Sequence, residues 1–205
     1  MVLKKKQIKK VLTAASILLI FVAVTNTAGA YSLHPGKLSK GIKNQTYYVG
    51  LTNSRYSNAC VAGVNNWNYA VQNTPLTSSL GFSFTKSSKI TGSTIRFGGE
   101  KLAVSNAVAV TKYYNIDSSW NAVPVTNHGN RDYADVIFNL NVTDSNASVY
   151  NTTYLTSTAG HEIGHALGLY HNENDNGTLM YPYHNTRTAH SPTYDEVQGI
   201  WQQYK

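Results

Sequence analysis

The stretch His161-Glu162-Ile163-Gly164-His165-Ala166-Leu167-Gly168-Leu169-Tyr170-His171 decides how this chain is read. At about 100° per residue, His161 and His165 lie only about 40° apart around a helix and one turn along it. Both imidazoles can therefore face one cation, and nitrogen ligands at about 2.0–2.1 Å suit zinc. Glu162 leaves the same turn at an offset, where it can act on a water over the metal without being a ligand. His171, further along, would point elsewhere if the helix continued. Gly168 resolves this, because glycine takes a left-handed conformation at low cost and can end the helix there. The chain can then turn back and return His171 to the same cation. Three histidines with one open position make a catalytic zinc site as opposed to a closed structural one. The full motif, ending in a third histidine, is a much stronger signal than a bare H-E-x-x-H. The expected ligands are His161, His165 and His171, and the expected base is Glu162.

Working outward, the motif falls at the end of a helix predicted over Tyr154 to Leu167. Upstream, Tyr56, Ala59, Cys60, Gly63, Val64, Trp67, Ala70 and Val71 recur in steps of three and four, which predicts a helix after Thr52-Asn53-Ser54 that Pro75 stops. Cys60 lies on its apolar face and reads as a buried small hydrophobe. Short strand-like runs occur at Tyr47–Val49, Gly81–Thr85, Ser93–Phe97, Ala107–Tyr114 and Ala134–Leu140, with loops rich in Gly, Asn and Ser between them. A last helix is predicted from about Tyr194. The lead from Tyr31 to Asn44 reads as irregular. Strand, helix, four strands, helix, helix is an α+β domain.

The motif, followed by Thr178-Leu179-Met180-Tyr181-Pro182, resembles the zinc helix and Met-turn of metzincins. Within that clan it is most similar to the matrixin, or matrix-metalloprotease-like, catalytic domains; Asp195-Glu196-Val197-Gln198-Gly199-Ile200 resembles the start of their final helix. The resemblance implies a mixed, mostly parallel sheet and a zinc endopeptidase with Met180 beneath the three imidazoles. It also implies an extended peptide substrate along an edge strand, here Ala107–Tyr114, and a pocket walled by Tyr181 to Thr188. With Arg187 expected in solvent that pocket is deep and apolar, whereas Arg187 inside would shorten it or admit an acidic side chain.

The chain departs from the family at several points. It has no recognisable cysteine-bearing propeptide. The last strand carries Val136-Ile137-Phe138-Asn139 where the family's structural zinc needs a histidine, so one zinc is expected. Pro182 stands where astacins carry a tyrosine ligand, leaving Tyr183 as a loop or pocket residue. His128, His184 and His190 read as ordinary surface or loop histidines. Asn172 to Gly177 (NENDNG) offers oxygens of the kind calcium takes, against the plainer reading of a turn. Sequons at Asn141, Asn146 and Asn151 matter only in a host that glycosylates.

The N-terminus carries Lys4, Lys5, Lys6, Lys9 and Lys10, then an apolar run from Val11 to Val24 and Ala28-Gly29-Ala30. A basic start, an apolar run shorter than the roughly 20 residues of a membrane span, and an A-x-A site make residues 1–30 an export signal. The catalytic domain is then 31–205, secreted and without a stable membrane anchor. Removing the signal takes five lysines from the 17 Lys and Arg, leaving 12 against 10 Asp and Glu. The basic balance is largely a targeting feature and supports no nucleic-acid partner. Cys60, the single cysteine, permits no internal disulfide.

The expected partner is a protein or peptide substrate, acted on by a monomer. Two rivals remain: a zinc-holding secreted binding protein or toxin, and a hydrolase of cell-wall peptide cross-links. Protein recovered from culture medium should begin at Tyr31 when its terminus is sequenced; an intact 1–30 segment would contradict the signal.

Overall fold

The structure is a computed structural model that describes residues 31–74, 81–103 and 106–205. The export signal and the Pro75 stop lie outside the described residues. Six strands, β1 (Gln45–Val49), β2 (Phe84–Ser87), β3 (Ile95–Glu100), β4 (Ala109–Ile116), β5 (Ala122–Pro124) and β6 (Tyr133–Asn139), form one sheet in the order β2-β1-β3-β6-β4-β5. β2, β1, β3 and β6 run parallel, while β4 is antiparallel to both β6 and β5. The helices are α1 (Ser54–Gln72), α2 (Leu140–Thr143), α3 (Thr152–Leu167) and α4 (Tyr194–Tyr204). The architecture is the expected α+β one with a mixed sheet.

The expected apolar stripe of α1 is its buried face, with Tyr56, Ala59, Cys60, Gly63, Val64, Trp67 and Val71 pointing inward and Ala70 half-buried at its margin. Asn53 caps the start by accepting from the Arg55 amide, and the helix ends at Gln72 with Asn73 as its cap. That stripe packs on α3. Trp67, wholly buried, spends its one polar hydrogen on the Gly160 carbonyl at 2.8 Å. Gly63 lets the helices close up, since a Cβ there would stand 3.0 Å from the Ala159 Cβ and 3.1 Å from the Gly160 nitrogen. The crossing therefore braces α3 directly before its first motif histidine.

Three local features differ from expectation. β5 is a three-residue exposed strand with no apolar alternation to betray it; it forms because Asp117 accepts from the amides of Ser119 and Asn121 and turns the chain at Trp120. Leu140, expected at the end of a strand, instead starts α2, because the Asn139 side chain caps a helical turn there. The run expected at Gly81–Thr85 enters the sheet only at Phe84.

The irregular lead is a strap across the end of α3. The His34 amide donates to the Gly168 carbonyl, the Tyr170 amide to Ser32, and Leu33 bridges Leu169. If the α1–α3 crossing is as close as described, Gly63→Val should cost about 1–3 kcal/mol through overpacking. Chemical denaturation would read this, and a midpoint equal to wild type would contradict it.

Candidate metal centre

α3 begins at Asn151, whose side chain accepts from the Tyr154 amide. It ends at Gly168, which takes φ 108° in the left-handed region. There the Leu169 amide bonds back to Gly164, and a Cβ on Gly168 would meet the Gly36 carbonyl of the strap at 3.1 Å. The reversed chain is then held on both sides of His171. The Tyr170 amide bonds to the strap, and the Asn172 amide bonds to Met180 at 3.0 Å.

The three histidines converge. His171 Nε2 lies 3.1 Å from His165 Nε2 and 3.2 Å from His161 Nε2, with all three ligand atoms within 4.8 Å of one another. Nitrogens bound tetrahedrally to one zinc would stand about 3.3–3.4 Å apart, given bonds of about 2.0–2.1 Å. His161 donates its Nδ1 hydrogen to the Leu179 carbonyl and His165 donates to Leu169, both at 2.8 Å. Those bonds fix the tautomer that leaves each Nε2 lone pair facing inward. Burial pushes the pKa of His165 down to about 4 and that of His161 well below the ordinary value; burial also lowers His171, helped by His165. Neutral imidazoles are the ligating form. The donor set fits a metal.

Glu162 is buried beside the triad, and that burial raises its pKa. The Thr111 hydroxyl on β4 opposes this by donating to Glu162 Oε2 at 2.6 Å, a contact that no periodicity in the sequence marks.

Met180, 2% exposed, packs where a Cβ on Gly164 would lie 2.3 Å from its sulfur. Gly164 in the motif thus makes room for Met180. The Met180 amide donates to Glu196 Oε1, and Glu196 Oε2 accepts from the amide and hydroxyl of Thr193. The capping box of α4 therefore also anchors the turn under the site. The T-x-x-E of Thr193 to Glu196 announces the cap in the sequence; the second use of the carboxylate does not show there.

A peptidase family model described as Matrixin matches residues 66–205. The chain belongs to the matrixin family. It is accordingly a zinc metallopeptidase in kind, a hydrolase acting on protein or peptide chains. No curated protein sequence matches it significantly. Among solved structures, a chain of the "GM1 bound form of the ECX AB5 holotoxin" is similar with a TM-score of 0.50 and 15% identity, covering 86% of this chain and 89% of that one. At that identity the likeness is one of fold.

In this matrixin a cavity of about 500 Å³ opens beside the triad. Ala107 to Ala109, Tyr154 and Thr158 of α3, and Pro182, Tyr183, His184 and Arg187 line it. β4 pairs with β6 along Ala109 to Tyr114, but β5 covers only Tyr114 to Ile116. Among the described residues, no strand pairs with the outer edge of β4 before Tyr114, the edge expected to receive a peptide.

Arg187 departs from the sequence expectation. It is 5% exposed and turned inward, because the Met-turn leaves acceptors that need a donor. Its Nη1 donates to the carbonyls of Leu179 (2.9 Å) and Tyr181 (3.2 Å), and its Nη2 to the Ser157 hydroxyl (2.7 Å). Nη1 stands 2.9 Å from His161 Nδ1; both are donors and share the Leu179 carbonyl.

His184 is likewise no plain loop residue. It stacks on Tyr154 at 3.4 Å between centroids, and burial lowers its pKa to about 4. His128 and His190 are exposed. In the NENDNG run, Asp175 accepts from the Gly177 amide and Asn172 from the Asn174 amide, which is a turn's use of those oxygens. Cys60 is buried, and burial raises its thiol pKa.

Gly164→Ala should force Met180 aside and cost about 1–3 kcal/mol by overpacking. A double-mutant cycle with Met180→Ala, read by thermal unfolding, should show clear non-additivity; independent effects would mean the two do not touch.

Proposed function

We propose that the chain is an exported zinc endopeptidase in which His161, His165 and His171 hold the metal and Glu162 moves the proton. The observation that carries this reading is the convergence of three Nε2 atoms whose outer nitrogens, for His161 and His165, are tied to backbone carbonyls. Zinc bound there supplies a Lewis acid that brings the pKa of a coordinated water toward about 7. Glu162 takes a proton from the attacking water and later delivers it to the leaving amine. Burial, by raising the pKa of that carboxyl, favours its holding the proton between the two transfers. The Thr111 hydroxyl orients the carboxylate from the side of β4. A peptide lying extended along the free edge of β4 passes across this group, with its backbone paired as an added strand.

Export rests on the signal in residues 1–30, after which the enzyme acts outside the cell as a monomer. Among the described residues no helix is long and apolar enough to cross a membrane. A pure binding protein or toxin is the weaker reading. Keeping a carboxyl buried at the metal position is costly, and a site that only binds has no use for it. The similarity to a holotoxin chain, at 15% identity, adds nothing to that reading. Hydrolysis of cell-wall peptide cross-links would use the same residues, and digestion of purified peptidoglycan would reveal it.

Glu162→Gln should lower cleavage of casein by at least about 10²–10⁴-fold while zinc content stays near wild type. His171→Ala should lose the metal. A Glu162→Gln protein within a few-fold of wild-type activity would remove Glu162 from the role of base.

A further inference from the structure

In the cavity beside the triad one charged side chain has no acidic hydrogen-bond partner. Two charged side chains line it, Glu162 and Arg187. Glu162 is engaged by Thr111. The acceptors around Arg187 are all neutral: the Leu179 and Tyr181 carbonyls and the Ser157 hydroxyl. The ion pairs among the described residues, Arg55–Asp144 and Lys112–Glu100, lie elsewhere. A guanidinium carries five N–H donors, and Arg187 Nε is buried with no partner at all. Nε and Nη2 share the edge that grips a carboxylate bidentately, and on that edge only the Ser157 hydroxyl is in place.

The contrast with Arg131 sharpens the point, because that arginine is also fully buried and unpaired by any acid. Each nitrogen of Arg131 has a partner: Nε on Ala166, Nη2 on Gly36 and Nη1 on His34. It also caps the negative end of α3. Arg187 keeps one nitrogen unpaired, feels Glu162 and Glu196 only through space, and lines a cavity. A buried charge so placed is costly until an opposite charge arrives.

We infer that Arg187 is a specificity-determining residue, and that the enzyme cuts before an acidic residue whose carboxylate enters the cavity and pairs with this guanidinium. The inference rests on the peptidase reading above. It replaces the deep apolar pocket that follows if Arg187 points to solvent.

Mass-spectrometric profiling of a proteome-derived peptide library with zinc-loaded wild type should show Asp or Glu enriched immediately after the cut. Two peptides amidated at the C-terminus and differing only there, Glu against Leu, should differ in kcat/KM by at least about tenfold in favour of Glu. In Arg187→Met the ratio should fall to about one or reverse; being a ratio within one protein, it is insensitive to incomplete metal loading. Enrichment of Leu, Ile, Phe or Met by wild type would overturn this inference alone. A zinc-loaded wild type that cuts nothing would overturn the peptidase reading and this inference with it. Should Arg187→Met fail to fold, the wild-type profile and peptide pair still decide.

Discussion

The left-handed turn at Gly168 is the constraint on which the rest of the site depends. Two histidines one helical turn apart can share a cation wherever a helix offers them. A third arrives only if the helix stops and the chain reverses within a few residues. Gly168 permits this with φ 108°, a conformation costly for a residue with a side chain. The space a side chain would need is already taken by the Gly36 carbonyl, so the strap can lie directly on the turn. The same reversal exposes the last carbonyls of α3. Arg131 takes that of Ala166, and the Gly168 carbonyl accepts from the strap at His34. Substituting Gly168 would therefore disturb the helix end, the strap and His171 together.

The turn under the site is held from the other side by a similar economy of acceptors. Leu179 offers one carbonyl to His161 and Arg187 together, so a metal-facing ring and the cavity wall are fixed by one backbone group. Glu196 caps α4 and holds the Met180 amide with the same carboxylate. Consequently the final helix, remote from the histidines in sequence, controls the height of the methionine that packs against Gly164. The positions of His161 and His171 thus depend on hydrogen bonds whose partners lie well away in the chain, while His165 is held by Leu169 four residues on.

How much of this was legible beforehand follows from the kind of information each feature carries. The convergence of the three histidines, the place of Glu162 beside them and the turn at Gly168 could be read because helical spacing and glycine's conformational freedom are local properties. The buried stripe of α1 could be read because burial enforces a period. β5 could not, since a three-residue exposed strand obeys no period; it exists because Asp117 turns the chain. Thr111 could not be told from any other threonine of a strand, as its partner lies on another element. Arg187 was misjudged because exposure is the general tendency of arginine. What decided its place was a set of carbonyls and a hydroxyl brought together only by the fold.

Electrostatics joins these pieces. His34, His165 and His184 are each depressed to about 4, with burial as the leading cause, and burial also holds His161 well below the ordinary value. A depressed imidazole binds fewer protons folded than unfolded, so its contribution weakens as pH falls below the ordinary value of 6.5 toward 4. Glu162 runs the opposite way. Its raised pKa makes the folded state bind the proton more readily, so its ionisation costs stability as pH rises through the carboxylate range. At neutral pH the fold therefore carries imidazoles already stripped of protons beside a carboxylate held against its preference. A metal held by the histidines would displace few protons from them and would bring positive charge next to Glu162. Such a charge would relieve the cost of keeping the carboxylate ionised, so under the proposed mechanism Glu162 would be best prepared to accept a proton with the metal in place.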